Sequence, residues 1–257
     1  MDAPDAKPRV EASAAMQRAA AFVESADDEV ATARARALVG TQPASVVVEL
    51  LRGPGLEPSV SRLLWALGIF DDLRCTNAIP VERACDGLAA AQQSDGSWSD
   101  RASAPEDERI FATGMAAGYL AKTPFARQST LASAADYLAA HWSPDRVKGS
   151  AWGANAAYSH CFALIRHEQA DAILQWCGRE LERGFRTGVY GAVRTARVFV
   201  LCKAHALPGS RLTVAELVAR ALDEQMDDGG YALPGDSSRR ARLAHTLDAL
   251  VVLERLA

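Results

Sequence analysis

Apolar residues recur at three- and four-residue spacing along almost the whole chain, the signature of amphipathic helices. These segments are rich in Ala, Leu and Arg, all strong helix formers. Alternating strand patterns are nearly absent. The β-branched runs Val46–Val48 and Val198–Val200 both fall inside longer helical patterns. The spacing predicts about twelve helices, over roughly 9–25, 28–39, 43–52, 57–72, 79–93, 106–121, 128–142, 153–166, 168–184, 191–205, 211–226 and 239–256. Punctuation supports these limits. Gly53-Pro54-Gly55 divides the third from the fourth, Pro80 suits a first turn, and Pro144 and Pro208-Gly209 end the helices before them.

A second, slower period overlies the first. Gln92-Gln-Ser-Asp-Gly-Ser-Trp98 returns as Gln225-Met-Asp-Asp-Gly-Gly-Tyr231, each reading Gln, three residues, Gly, one residue, aromatic. Gly149–Trp152 and Gly188–Tyr190 are looser Gly–aromatic turns, and Gly53–Leu56 is a degenerate one. The turns recur about every forty to fifty residues, one helical hairpin apart. The second helix of each hairpin is rich in small residues, such as Gly114, Ala116, Ala117 and Gly118, or Ala154, Ala156 and Ala157. A hairpin cannot bury its apolar stripe alone, so neighbours must stack. Small residues on every second helix suit a crowded inner ring. The expectation is an all-α chain, an (α/α)6 toroid of six hairpins spanning 9–257 after a disordered N-terminus at 1–8.

The Gln-x3-Gly-x-Trp pattern resembles the repeat of squalene–hopene cyclases and protein prenyltransferase β subunits, which share an α/α toroid. The match covers roughly residues 79–257. The resemblance implies that Gln92, Trp98, Gln225 and Tyr231 tie hairpins together through a capped helix end and a buried ring. It also implies an isoprenoid or similar apolar substrate, with a prenyl diphosphate as a candidate ligand. The acidic Asp-x-Asp-Asp motif of the cyclases is replaced by Glu106-Asp107-Glu108. The Asp-x-Cys of the zinc prenyltransferases has no counterpart, so no catalytic metal of that type is expected; the proton-transfer chemistry expected of such a site would need no redox cofactor. Neither the Cys-Gly-Glu-Gln of complement thioester domains nor the Cys-His-Gly of lanthionine cyclases occurs.

Composition narrows the function classes. At 257 residues the chain can bury a large core, and its net charge of −4 offers no basic stripe for nucleic acid. Five scattered cysteines, none in a Cys-x-x-Cys pair, favour a reducing compartment over a disulfide framework. The N-terminus lacks the apolar core of a signal peptide, and no apolar run reaches membrane-spanning length. A cytoplasmic protein is expected.

On a ring of hairpins, polar residues of each second helix should line a central cavity. Asp107 and Glu108 are candidate acids, since burial and a neighbouring carboxylate raise a carboxyl pKa. His160 and His245 could exchange protons near neutral pH, with Asp248 one turn from His245 to orient it. Arg194 and Arg197 share a helix face, and Arg242 lies on the last helix; guanidinium groups grip phosphate oxygens in pairs. Phe111 and Tyr158 could supply an aromatic lining. Proton-transfer cyclisation or isomerisation of a small apolar substrate follows from these assignments. The rival is a non-catalytic toroid that binds a lipid, peptide or protein partner.

Overall fold

The computed structural model describes residues 6–51 and 59–257. Most of the expected disordered N-terminus, and the degenerate turn at Gly53–Leu56, lie outside them. Twelve α-helices form among the described residues: α1 (Ala6–Glu24), α2 (Glu29–Leu38), α3 (Ala44–Leu50), α4 (Val60–Asp72), α5 (Ile79–Ala91), α6 (Glu106–Ala121), α7 (Gln128–Ala140), α8 (Trp152–Leu164), α9 (Ala170–Arg186), α10 (Ala192–Cys202), α11 (Val214–Asp223) and α12 (Arg239–Leu256). A short 3₁₀ turn, Pro144–Val147, precedes α8. No strand forms among the described residues; two isolated bridges, Gln225–Tyr231 and Leu233–Asp236, close turns. The all-helical reading therefore holds, and most boundaries fall within two or three residues of the spacing's prediction. Local chemistry sets several ends. Asp28, Ser59, Thr213 and Ser238 cap α2, α4, α11 and α12 by accepting a backbone N–H three residues on.

Contacts divide the chain into two compact units. One comprises Met1–Leu50, Phe185–Ala206 and Arg211–Ala257; the other comprises Leu51–Gly184 and Leu207–Ser210. In the second unit α6 is central, packed on α4, α7 and α8. Its approach to α8 is close because α6 carries glycine where the two helices touch. A Cβ at Gly114 would lie 2.4 Å from the Ala157 carbonyl oxygen, and one at Gly118 would lie 2.3 Å from the His160 ring. In the first unit α12 is central, packed on α1, α2, α10 and α11.

The Gln–Gly–aromatic turns are the joints within these units, and the two are built alike. After α5, the Gln92 amide donates to the Gly96 carbonyl and the Thr130 carbonyl on α7, both at 3.0 Å. The Trp98 N–H donates to Thr113 Oγ1 on α6 at 3.1 Å, and its indole N–H reaches the Leu88 carbonyl at 2.7 Å. Arg109 pairs with Asp95 and lies over the Tyr137 ring. After α11, the Gln225 amide donates to the Gly229 carbonyl and to the Ala15 carbonyl on α1, at 2.9 and 2.8 Å. The Tyr231 N–H donates to Thr246 Oγ1 at 3.0 Å. Arg242 pairs with Asp228 at 2.7 Å and lies over Phe22. So the last hairpin, α11–α12, takes the first helix of the chain by the same contacts that join α5–α6 to α7. In each joint the Gln amide adds a second donor to a carbonyl of a neighbouring helix, and in the first the Trp98 ring is buried under the preceding helix, α5.

Candidate functional site

In the second unit a groove of about 280 Å³ runs along the seam between α4 and α6. Helix α4 contributes Val60, Ser61, Leu64 and Trp65; α6 contributes Glu108, Phe111, Ala112, Met115 and Tyr119; Ser99 and Asp100 come from the loop after Trp98. Polar groups gather at the end formed by the two helix N-termini, and the rest of the wall is apolar. This follows from the sequence. The α6 spacing places Glu108, Ala112, Met115 and Tyr119 on one face, and α4 offers Ser61, Leu64 and Trp65 opposite. Asp100 holds the rim in place: its carboxylate accepts the Ser61 backbone N–H at 3.1 Å, at the first turn of α4. Glu108 pairs with Arg101 at 2.5 Å, both side chains exposed. The Arg62 guanidinium covers the Trp65 ring at 4.0 Å.

Of the acidic turn, only Glu108 reaches this groove. Asp107 is 87% exposed and pairs with Arg146 at 3.2 Å. Glu106 also pairs with Arg146, which holds its carboxyl below the usual range. Phe111 lines the groove at its open side, 39% exposed.

Below the groove the same seam closes on a buried ion pair. Lys122 Nζ lies 2.7 Å from Asp71 Oδ2, with side chains 1% and 9% exposed. Asp72 is buried beside it in sequence. Its partners are 51 residues apart, so no local pattern joins them. A signal was present, however. Two aspartates closing a helix oppose its dipole and call for a tertiary cation.

His160 and Tyr158, on α8, are wholly buried. The His160 ring stands edge-on to Tyr119 at 4.9 Å and presses on α6 at Gly118. The Tyr158 hydroxyl donates to the His141 carbonyl at 3.0 Å, and its ring stacks parallel to Phe162. Burial pushes the Tyr158 hydroxyl pKa well up. Neither residue lines the groove.

In the first unit, α10 and α12 bring Arg194, Arg197, His245 and Asp248 together. Asp248 turns to Arg197, Oδ1 to Nε at 3.3 Å, with the guanidinium buried. His245 is 3% exposed and its Nδ1 makes no hydrogen bond among the described residues. Burial, with Arg194 nearby, pushes its pKa down to about 4. Burial also lowers the Arg194 pKa, opposed by Asp248 and Tyr190. The helical spacing that suggested a His245–Asp248 pair thus ends in an Arg197–Asp248 pair, because a guanidinium across the α10/α12 contact outcompetes a neutral imidazole for a carboxylate. Arg242 belongs to the second joint, on Asp228 and Phe22.

Among the described residues no group of three His, Cys, Asp or Glu side chains is placed to hold a metal ion. No helix among them is long and apolar enough to cross a membrane. Comparison with known proteins finds no family model that matches this chain and no curated protein that matches it.

Proposed function

We propose that the chain binds a small apolar metabolite of isoprenoid type in the α4/α6 groove, and that its hairpins close as an (α/α)6 toroid around their shared joints. The observation that carries the binding reading is the make-up of the groove. Two helices supply an apolar wall of Val60, Leu64, Trp65, Ala112, Met115 and Tyr119, and polar groups stand at one end only. Its volume, about 280 Å³, lies at the lower end of small-molecule sites. A short prenyl chain would bury its carbons on the wall and leave a polar head among Ser61, Ser99 and Glu108. The toroid reading is supported by the two like joints, the second of which returns to the chain's first helix.

Catalysis by proton transfer, if the bound molecule reacts, falls to Glu108, the carboxylate of the acidic turn that lines the groove. A purely binding role is favoured by a different observation: Glu108 stands at the rim and is already held by Arg101, and among the described residues the groove's carboxyls, Asp100 and Glu108, stand at its polar end.

Titration with a prenyl alcohol of about ten carbons, read through quenching of Trp65, tests the site. Saturable quenching is expected, and Ala112→Phe, which fills the groove, should abolish it. Unchanged quenching in a folded Ala112→Phe protein would overturn the assignment. Glu108→Gln then separates the two roles. Loss of product with binding retained supports catalysis, and absence of any product from the wild type supports a carrier.

A further inference from the structure

The groove has a defined lower end. Its last α4 residue is Trp65 and its last α6 residue is Tyr119. One turn below Trp65 the α4 side chain is missing: at Gly68 an added Cβ would lie 3.0 Å from the Tyr119 hydroxyl oxygen. The phenol therefore lies close against α4 at Gly68, where a side chain would crowd it. It is fixed from the other sides as well. The His160 ring abuts it at 4.9 Å with an interplanar angle of 80°. Lys122, locked to Asp71 at 2.7 Å, holds its ammonium 5.7 Å from the ring centroid. Tyr119 itself is 7% exposed. A ring wedged between a helix backbone, an imidazole and a buried ion pair acts as a wall and not as a gate, because displacing it would disturb close packing on every side.

We propose that Tyr119 is the specificity-determining residue of the groove, a stop that sets the longest apolar chain it accepts. This rests on reading the groove as a site for an apolar ligand. A chain lying along the seam gains with each methylene laid against Leu64, Trp65 and Met115. On reaching the Tyr119 ring it must bend back toward solvent, and further carbons add nothing.

A homologous series of straight-chain primary alcohols, with binding followed by calorimetry, provides the test. In the wild type the Kd should fall roughly fourfold per added methylene, then level off at a limiting length. Tyr119→Leu and Tyr119→Ala should move that limit to longer chains, and Tyr119→Phe, which keeps the ring, should leave it in place. A measurement on the wild type needs no variant to fold: an alcohol of limiting length with a photoreactive diazirine at its far end should label Tyr119 or its immediate neighbours, located by mass spectrometry. An unmoved limit in folded Tyr119→Leu, or a label far from Tyr119, overturns the stop while leaving the groove as a binding site. If no alcohol of any length binds the wild type, the groove reading and the stop fall together.

Discussion

Replacing Gly96 by alanine probes the joint that organises each unit. Gly96 has φ of +89°, and a Cβ there would lie 2.2 Å from the Ser133 carbonyl oxygen on α7. Two penalties therefore act. An L-residue in the left-handed region costs about 1–2 kcal/mol. The methyl must also force α7 away by roughly an ångström, which overpacking data place at about 1–3 kcal/mol. If α7 retreats, the Gln92 bond to the Thr130 carbonyl, 3.0 Å long, weakens too, at about 1 kcal/mol. Gly188 separates these contributions. It has φ of +72° and nothing within 4 Å of its Cβ position. Gly188→Ala should therefore cost only the backbone strain, about 1–2 kcal/mol. Urea denaturation at a shared slope should show Gly96→Ala less stable than Gly188→Ala by about 1–4 kcal/mol. Gly229→Ala, whose Cβ would lie 2.4 Å from the Arg18 carbonyl oxygen with φ of +84°, should behave like Gly96→Ala. Equal losses at Gly96 and Gly188 would refute the argument that helix α7 is seated directly on the turn.

Three further outcomes follow from buried polar groups. The folded state keeps the His245 imidazole neutral, with a pKa near 4, so its contribution is complete above the unfolded value of about 6.5 and is lost as pH falls from there toward 4. Stability measured across that range should fall by about 3 kcal/mol more in the wild type than in His245→Gln; parallel profiles would refute the assignment. Lys122→Met leaves Asp71 in a buried site and should cost about 3–5 kcal/mol, and adding Asp71→Leu should recover most of it in a double-mutant cycle. Additive losses would show that the pair does not act as a unit. The buried Tyr231 hydroxyl makes no hydrogen bond among the described residues, so Tyr231→Phe should leave the Tm unchanged or raise it, whereas a lowered Tm would reveal a partner.

The chain's helices and joints were written in short-range pattern. Three- and four-residue spacing specifies each helix, since it reports only which face is apolar. The Gln–Gly–aromatic turn was legible because its parts lie within seven residues and their geometry is local: a glycine at positive φ, an amide returning to the glycine carbonyl, a ring tucked under the preceding helix. Its second role, grasping the Thr130 carbonyl or the Ala15 carbonyl, needed the fold.

The candidate chemistry shows the opposite balance. Arg194, Arg197, His245 and Asp248 stand at helical spacings in the sequence, and α10 and α12 bring them together. Which of them pairs was decided across the helix contact, where Arg197 takes Asp248. The acidic turn reads as one cluster in sequence, yet a helix spreads successive residues by about 100°. Asp107 therefore faces solvent and Glu108 faces the groove. The α4 wall and the Lys122–Asp71 pair were invisible as a site because a seam between helices is made by residues dozens of positions apart. Sequence determined that this chain is a set of helical hairpins and where each turns, because those forces act between neighbours along the chain. Only the tertiary structure decided which polar side chain meets which, and where two apolar faces part to leave room for a ligand, because burial and charge pairing depend on what the next helix brings.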